Sequence, residues 1–318
     1  MLITKDRFKR IYRENKVQVT CLVLIINNDC NAECKVCLAR QIFKSSLCKE
    51  ICEGYKPTCL RCCDHTATDE EFYAALADIL DTINSPIVDI VITGGEPTLS
   101  VRFIPTLEMV AKKKYFRKQI ELETNGAKLK DPAIIEVLKR HNVQIHLSRY
   151  GATDEENRAE FKYKGYETTN ADIRELADIY GDQLGISTVL LKHHISTANE
   201  LVAMMDACEN LGVHNHTFLE VMADEMLENA NKSLLEYYKT YRVPITEISE
   251  GLEKLGIKKL KEEGDGSYRI ITHEYRGKPF TMTSSDLKRQ HRQETNNCFS
   301  RFLIMPSGEI GVNGIEKR

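Results

Sequence analysis

No stretch of the 318-residue chain is a long apolar run, and that absence excludes a membrane-spanning helix. The N-terminus, Met1-Leu2-Ile3-Thr4-Lys5-Asp6-Arg7, is charged and carries no signal-peptide pattern, so a cytoplasmic protein is expected. A large charge of one sign is also lacking. The net charge of −3 leaves no bulk electrostatic case for a nucleic-acid or membrane partner. There is no repeat beyond a strand–helix unit and no low-complexity segment. Tryptophan is absent, which excludes nothing. Cysteine, by contrast, is plentiful: nine of the eleven fall between Cys21 and Cys63. Secreted disulfide scaffolds are small and carry signal sequences, and this chain matches neither trait. Clustered thiols in a cytosolic enzyme more often bind metal.

The rest of the composition, 42% hydrophobic and 29% charged, is that of a soluble globular protein. The length fits one large domain, or one large and one small. Apolar runs over 17–26, 87–93, 120–124, 143–148, 186–191 and 217–222 predict six strands. Helical periodicity lies between them. Thr68-Asp69-Glu70-Glu71 is a capping box that opens a helix ending before Pro86. A second helix spans 101–114, with Pro105 in its first turn. Asp131-Pro132 caps a third. A polar loop over 149–169 leads to a helix near 173–179, and another spans 198–211, ended by Gly212. Six alternations of strand and helix predict parallel strands with crossover helices, in number short of a closed eight-fold barrel. The expected fold class is therefore α/β: a partial (β/α)6 TIM-like barrel with a small α+β C-terminal cap. The expected layout is an N-terminal leader over 1–16, the barrel over 17–223 with a Cys-rich insert at 38–67, and the cap over 224–318. In the cap, 224–242 and 245–255 read as helices, 268–272, 279–283 and 302–305 as strands, and 306–309 as a turn.

Three motifs follow predicted strands, where α/β folds place their sites. Cys30, Cys34 and Cys37 are spaced C-x3-C-x2-C after the first strand. A loop of that length can wrap three cysteinates around one corner of a cubic iron–sulfur cluster. Such clusters normally take four thiolates, so one iron stays open. Three buried thiols that happen to be close, or a partial zinc site, are the alternatives, although structural zinc wants four ligands. Thr93-Gly94-Gly95-Glu96-Pro97-Thr98 follows the second strand. Its glycines let backbone approach a small ligand, and Glu96 offers an acceptor suited to an ammonium group; a plain turn with a capping acid is the bland alternative. Glu123-Thr124-Asn125-Gly126 ends the third strand. It is either a tight turn or a polar contact through Asn125 to ribose or carboxylate. Ser148 and Arg149 end the fourth strand, and Arg149 is either a carboxylate partner or a solvated charge.

Together the three-Cys loop, the Gly-Gly-Glu-Pro turn and the strand-end Asn125 resemble the radical S-adenosylmethionine (radical SAM) superfamily. The resemblance implies a [4Fe–4S] cluster on Cys30, Cys34 and Cys37. It implies S-adenosylmethionine on the fourth iron, cleaved reductively to a 5′-deoxyadenosyl radical that abstracts a hydrogen atom from substrate. It places Gly94, Gly95 and Glu96, with Thr98 in the same turn, at the methionine amino group. Asn125, Ser148 and Arg149 fall near ribose and carboxylate, and Leu190 or Leu191 at adenine. An electron donor of flavodoxin or ferredoxin type is implied as well. The residue before the third Cys, usually aromatic, is Val36 here. Within the superfamily the chain is similar to the GTP 3′,8-cyclase branch. That branch holds a second cluster in its tail through C-x2-C-x13-C. Here Cys298 is followed at those positions by Arg301 and Ile315, and the terminal Gly-Gly is missing, so GTP cyclase activity is not expected. A small-molecule or nucleotide-like substrate is expected. The alternatives are a peptide-modifying epimerase or cross-linker, and a non-enzymatic zinc-binding protein.

Cys48, Cys52, Cys59, Cys62 and Cys63, followed by His65, make a second metal-binding candidate, for zinc or an auxiliary iron–sulfur cluster. Cys208 is a candidate hydrogen donor, as in radical epimerases, but it lies on the apolar face of a predicted helix, which favours a packed thiol. His193-His194 and His214-x-His216 flank strands; they invite a metal reading, with substrate contact or no role preferred.

Overall fold

A computed structural model describes residues 2–3, 9, 12, 21–37, 67–83, 87–113, 116–221, 232–264, 268–285, 301–304 and 310–312. Among these are twelve strands and eight α-helices. In chain order they are β1 (Leu2–Ile3), β2 (Cys21–Ile25), α1 (Asp69–Thr82), β3 (Ile87–Thr93), α2 (Phe103–Ala111), β4 (Phe116–Thr124), α3 (Pro132–Arg140), β5 (Gln144–Arg149), α4 (Asp154–Phe161), α5 (Asn170–Tyr180), β6 (Leu184–Leu190), α6 (Ala198–Glu209), β7 (Asn215–Glu220), α7 (Lys232–Tyr241), α8 (Ile245–Lys254), β8 (Lys258–Gly264), β9 (Tyr268–Tyr275), β10 (Lys278–Ser285), β11 (Arg301–Ile304) and β12 (Ile310–Val312). All six expected barrel strands are present. Positions 17–20, 38–66, 86, 222, 224–231, 298, 306–309 and 315, on which several sequence readings fell, lie outside the described residues. No helix among the described residues is long and apolar enough to cross a membrane.

The chain forms two compact units, and each groups strands from both the expected barrel and the expected cap. The first holds residues 1–30, 42–144 and 290–318. Its strands run β1-β12-β11-β2-β3-β4, with β11, β2, β3 and β4 parallel. Leu22, Leu24, Ile90, Ile92 and Leu122 are fully buried on these strands. Each such side chain contributes about 1.5–3 kcal/mol by leaving water. The parallel register pairs Ile25 with Thr93 and Ile92 with Leu122, so the segments leaving β2, β3 and β4 emerge side by side.

Local chemistry sets the helices of this unit. Thr68 Oγ1 accepts from the Glu71 amide at 3.2 Å, and the Thr68 amide donates to Glu71 Oε2 at 2.8 Å, completing the capping box. Phe72, Ala75, Leu76, Ile79 and Leu80 then face the core from α1. Arg102 lies over the Phe72 ring at 4.7 Å and donates to Asp69 at 2.6 Å. Asp131 caps α3 through the Ala133 amide at 3.0 Å, with Pro132 in the first turn.

The second unit holds residues 31–41 and 145–289. Its strands run β5-β6-β7-β10-β9-β8, parallel from β5 through β10 and antiparallel beyond. Strand β8 is exposed at every residue. Helix α4 interrupts the expected polar loop. A second capping box starts it: Thr153 Oγ1 accepts from the Glu156 amide at 3.2 Å, and the Thr153 amide donates to Glu156 at 2.9 Å. Its buried residues are Asn157, Glu160 and Phe161, so it docks largely through polar groups. Asn157 accepts from the Tyr150 amide at 2.7 Å and donates to the Gly151 carbonyl at 2.8 Å, tying α4 to the end of β5.

Candidate functional site

In the first unit the segment leaving β2 is stitched to the Gly-Gly-Glu turn by backbone. The Gly95 amide donates to Asn27 O at 2.9 Å and the Glu96 amide to Asp29 O at 2.7 Å. Asn27 Nδ2 returns a bond to Glu96 O at 2.9 Å. A Cβ on Gly94 would stand 2.5 Å from Asn27 Oδ1, and one on Gly95 would overlap the Asp29 carbonyl. The two glycines are thus required first by the close approach of the thiol-bearing loop.

Glu96 is 1% exposed. Its Oε1 accepts from the Thr98 amide at 3.0 Å, the Thr98 hydroxyl at 2.6 Å and the Thr124 hydroxyl at 2.7 Å. Oε2 accepts from the Asn125 amide at 2.7 Å. Burial raises the Glu96 pKa against the pull of these four donors. The carboxylate therefore clamps the end of β3 to the end of β4. Asn125, held by that clamp and buried, points its amide nitrogen at Cys30 Sγ, 3.6 Å away. The sequence reading gave Asn125 a ribose or carboxylate contact; its contact with a thiol needed the fold to be seen.

In the second unit the remainder of the loop is anchored independently. The Glu33 amide donates to Phe161 O at 2.7 Å, and the Lys164 amide to Asn31 O at 2.6 Å. Tyr238 Oη donates to Val36 O at 2.9 Å. Cys34 and Cys37 flank one turn, closed by the Cys37 amide on Cys34 O at 3.3 Å. The buried Tyr150 hydroxyl is hydrogen-bonded to Cys34; burial foremost, and then the charges of Cys34 and Cys37, push its pKa well above the ordinary tyrosine value. Cys30, Cys34 and Cys37 are all half-buried.

Arg149 is 2% exposed and bonded within the chain. It donates to Thr168 O at 3.1 Å, Asn170 Oδ1 at 2.5 Å and Asp154 Oδ1 at 3.4 Å. Burial lowers its pKa, opposed chiefly by Asp154. It is thus neither a solvated charge nor aimed outward, and it locks β5 to the start of α5. Ser148 is half-buried and Leu191 fully buried. Cys208 is buried on the inner face of α6, and burial pushes its thiol up to about 12. Cys48, Cys52, Cys59, Cys62, Cys63 and His65 lie outside the described residues.

One cluster was not assembled from the sequence. Glu160 of α4 meets His193 and His194, with Glu160 Oε1 3.0 Å from His193 Nε2 and 3.3 Å from His194 Nε2. Lys35 Nζ is 3.2 Å from the same oxygen. Burial acts to raise the Glu160 pKa, but His194, His193 and Lys35 outweigh it and hold the carboxyl down to about 2. The histidine pair was visible in the sequence; its acid partner, 33 residues away, sat in what read as a polar loop.

No protein-family model matches the chain, and no curated protein matches it. Among solved structures it is similar to SuiB of Streptococcus suis, with a TM-score of 0.53 at 12% identity over 96% of this chain and 63% of that one. Coproporphyrinogen III oxidase (HemN) from Escherichia coli, a radical SAM enzyme, aligns with a TM-score of 0.46 at 11% identity over 80% and 55% of the two chains. TYW1 with a lysine–pyruvate adduct bound aligns with a TM-score of 0.39 at 14% identity over 80% of each chain. The chain spans less than two thirds of the length of SuiB and of HemN. The likeness to SuiB bears out the expected α/β fold class.

Proposed function

We propose that this chain is a radical S-adenosylmethionine enzyme. The observation that carries the reading is the three-thiol loop. Three cysteines lie within eight residues, in a segment bound by backbone to the Gly-Gly-Glu turn before Cys30 and, after it, to α4 and α7. The donor set fits a [4Fe–4S] cluster: three thiolates, with an amide N–H near Cys30 Sγ and a phenol O–H on Cys34. When bound, the cluster and its cosubstrate supply reductive cleavage to a 5′-deoxyadenosyl radical. The chain's own part is to hold and orient. Gly94, Gly95, Thr98 and Asn125 form the cosubstrate-facing rim of the first unit, with Glu96 as the positioning residue behind it. Ser148 and Leu191 serve in the second unit, with Arg149 behind them.

Anaerobic reconstitution with iron and sulfide tests the proposal. Dithionite reduction in the presence of S-adenosylmethionine should then yield 5′-deoxyadenosine. Cys34→Ala should abolish both the cluster's brown absorbance and the product; persistence of product in that variant refutes the reading.

The proposal extends to a small or nucleotide-like substrate, a flavodoxin- or ferredoxin-type donor and a cytoplasmic location. Product profiling separates this substrate class from peptide epimerisation or cross-linking. Cys48, Cys52, Cys59, Cys62 and Cys63 are proposed as a second metal site. Counting iron and zinc per chain in wild type and in a Cys59→Ala/Cys62→Ala double variant identifies its metal.

A further inference from the structure

Nothing in the radical chemistry requires the Glu160 cluster, which Lys35 of the thiol-bearing loop reaches at 3.2 Å. His193 and His194 are consecutive, and consecutive side chains usually diverge. Here a turn, closed by the His194 and Ile195 amides on Leu191 O at 2.9 Å each, brings both rings to one side. Their centroids are 4.4 Å apart, and both Nε2 atoms face the same carboxylate. One ligand atom from each of the three residues lies within 4.8 Å of the others. The separations of 3.0 and 3.3 Å to Glu160 Oε1 match the spacing of about 3.3 Å between atoms that share a tetrahedral zinc ion at about 2.0–2.1 Å.

The arrangement is also unsatisfied as it stands. Glu160 is 1% exposed, yet its Oε2 has no hydrogen-bond partner among the described residues. His194, 7% exposed at its side chain, has none at Nε2; its approach to Glu160 is close without hydrogen-bond geometry. The Tyr237 hydroxyl, on a ring that meets His193 edge-on, is likewise buried without a partner. Orphaned buried polar atoms are costly, about 1–3 kcal/mol each. Three around one carboxylate indicate a group that completes them. A buried carboxylate with two imidazole nitrogens aimed at it favours a cationic occupant.

We propose that Glu160, His193 and His194 form a binding site for a divalent cation of the zinc class, with a fourth position open to water or a substrate group. Two imidazoles and one carboxylate suit zinc better than magnesium or calcium, which favour all-oxygen shells. Three protein ligands with an open position are the pattern of a reactive zinc site rather than a closed structural one. Lys35, on a flexible and partly exposed stem, withdraws from Glu160 Oε1 when the ion enters.

The test uses the full chain, cluster-reconstituted and equilibrated with zinc. Zinc-edge X-ray absorption of the wild type should show nitrogen and oxygen neighbours at about 2.0 Å with imidazole outer-shell scattering, distinct from sulfur at about 2.3 Å around cysteine-held zinc. His194→Ala and Glu160→Gln should each lose that component and one zinc per chain, with iron content unchanged. A wild-type spectrum with sulfur neighbours alone overturns the proposal, and so does an equal zinc count in wild type and both variants. The wild-type spectrum decides even where a variant fails to fold. Because iron is counted separately, failure here is distinguishable from failure of the radical reading.

Discussion

Replacing Glu96 with glutamine keeps the shape of the buried side chain and changes one atom from acceptor to donor. The native carboxylate accepts four hydrogen bonds: three at Oε1 and one at Oε2. The new NH2 has two placements. At the Oε2 position it opposes the Asn125 amide. At the Oε1 position it opposes the Thr98 amide, while the Thr98 and Thr124 hydroxyls can rotate to accept. Either way one backbone N–H is stranded in the interior, at about 1–3 kcal/mol, and the remaining bonds lose their charge assistance. Relief from burying a charge offsets part of this, as the raised Glu96 pKa indicates. The net cost is about 2–3 kcal/mol, a fall in Tm of roughly 3–5 °C for a chain of this length. Thermal and urea unfolding of the apo chain read it directly. A Glu96→Gln variant as stable as wild type would refute the clamp between β3 and β4.

Three further outcomes follow from the same contacts. Gly95→Ala places a methyl on the Asp29 carbonyl, which is backbone and cannot turn aside; the loop-to-turn bonds should break, lowering stability by about 1–3 kcal/mol and reducing iron uptake on reconstitution. His216 is buried with neither ring nitrogen bonded among the described residues, and burial brings its pKa down to about 4, with Glu209 opposing and His214 and Lys278 assisting. The unfolded chain then binds the extra proton between about pH 6.5 and 4, so wild-type stability should fall by about 3 kcal/mol as pH drops through that window. Urea midpoints of His216→Leu should lack that share of the slope; identical slopes would remove His216 as the cause. Arg149→Lys keeps charge but not the fork that reaches Thr168, Asn170 and Asp154 together, and should cost about 2 kcal/mol in urea unfolding.

Periodicity in the sequence reports elements that bury an apolar face. The six parallel strands, the Thr68 and Asp131 caps and the placement of the three motifs at strand ends were legible for that reason. Helix α4 was not, because it buries Asn157 and Glu160 and its apolar signal is confined to Phe161. Its capping box at Thr153 and Glu156 was present in the sequence and would have marked it. Strand β8 was missed for the opposite reason: exposed along its length, Lys-Lys-Leu-Lys-Glu-Glu-Gly carries no alternation. At the site, residue types and spacing singled out the thiols. The roles of the supporting residues depend on partners distant in sequence: Asn125 with Cys30, Thr124 with Glu96, and Glu160 with the histidine pair. The two glycines were read as space for a ligand, whereas the nearest atoms belong to the loop that carries the cysteines.

The central claim is that Cys30, Cys34 and Cys37 leave one iron of a cluster open to S-adenosylmethionine. Electron paramagnetic resonance of the dithionite-reduced, reconstituted chain, recorded before and after addition of S-adenosylmethionine, tests it most directly. The account predicts a reduced [4Fe–4S] signal whose g-values shift when the cosubstrate binds. A signal insensitive to S-adenosylmethionine, or no cluster signal at all, would contradict it.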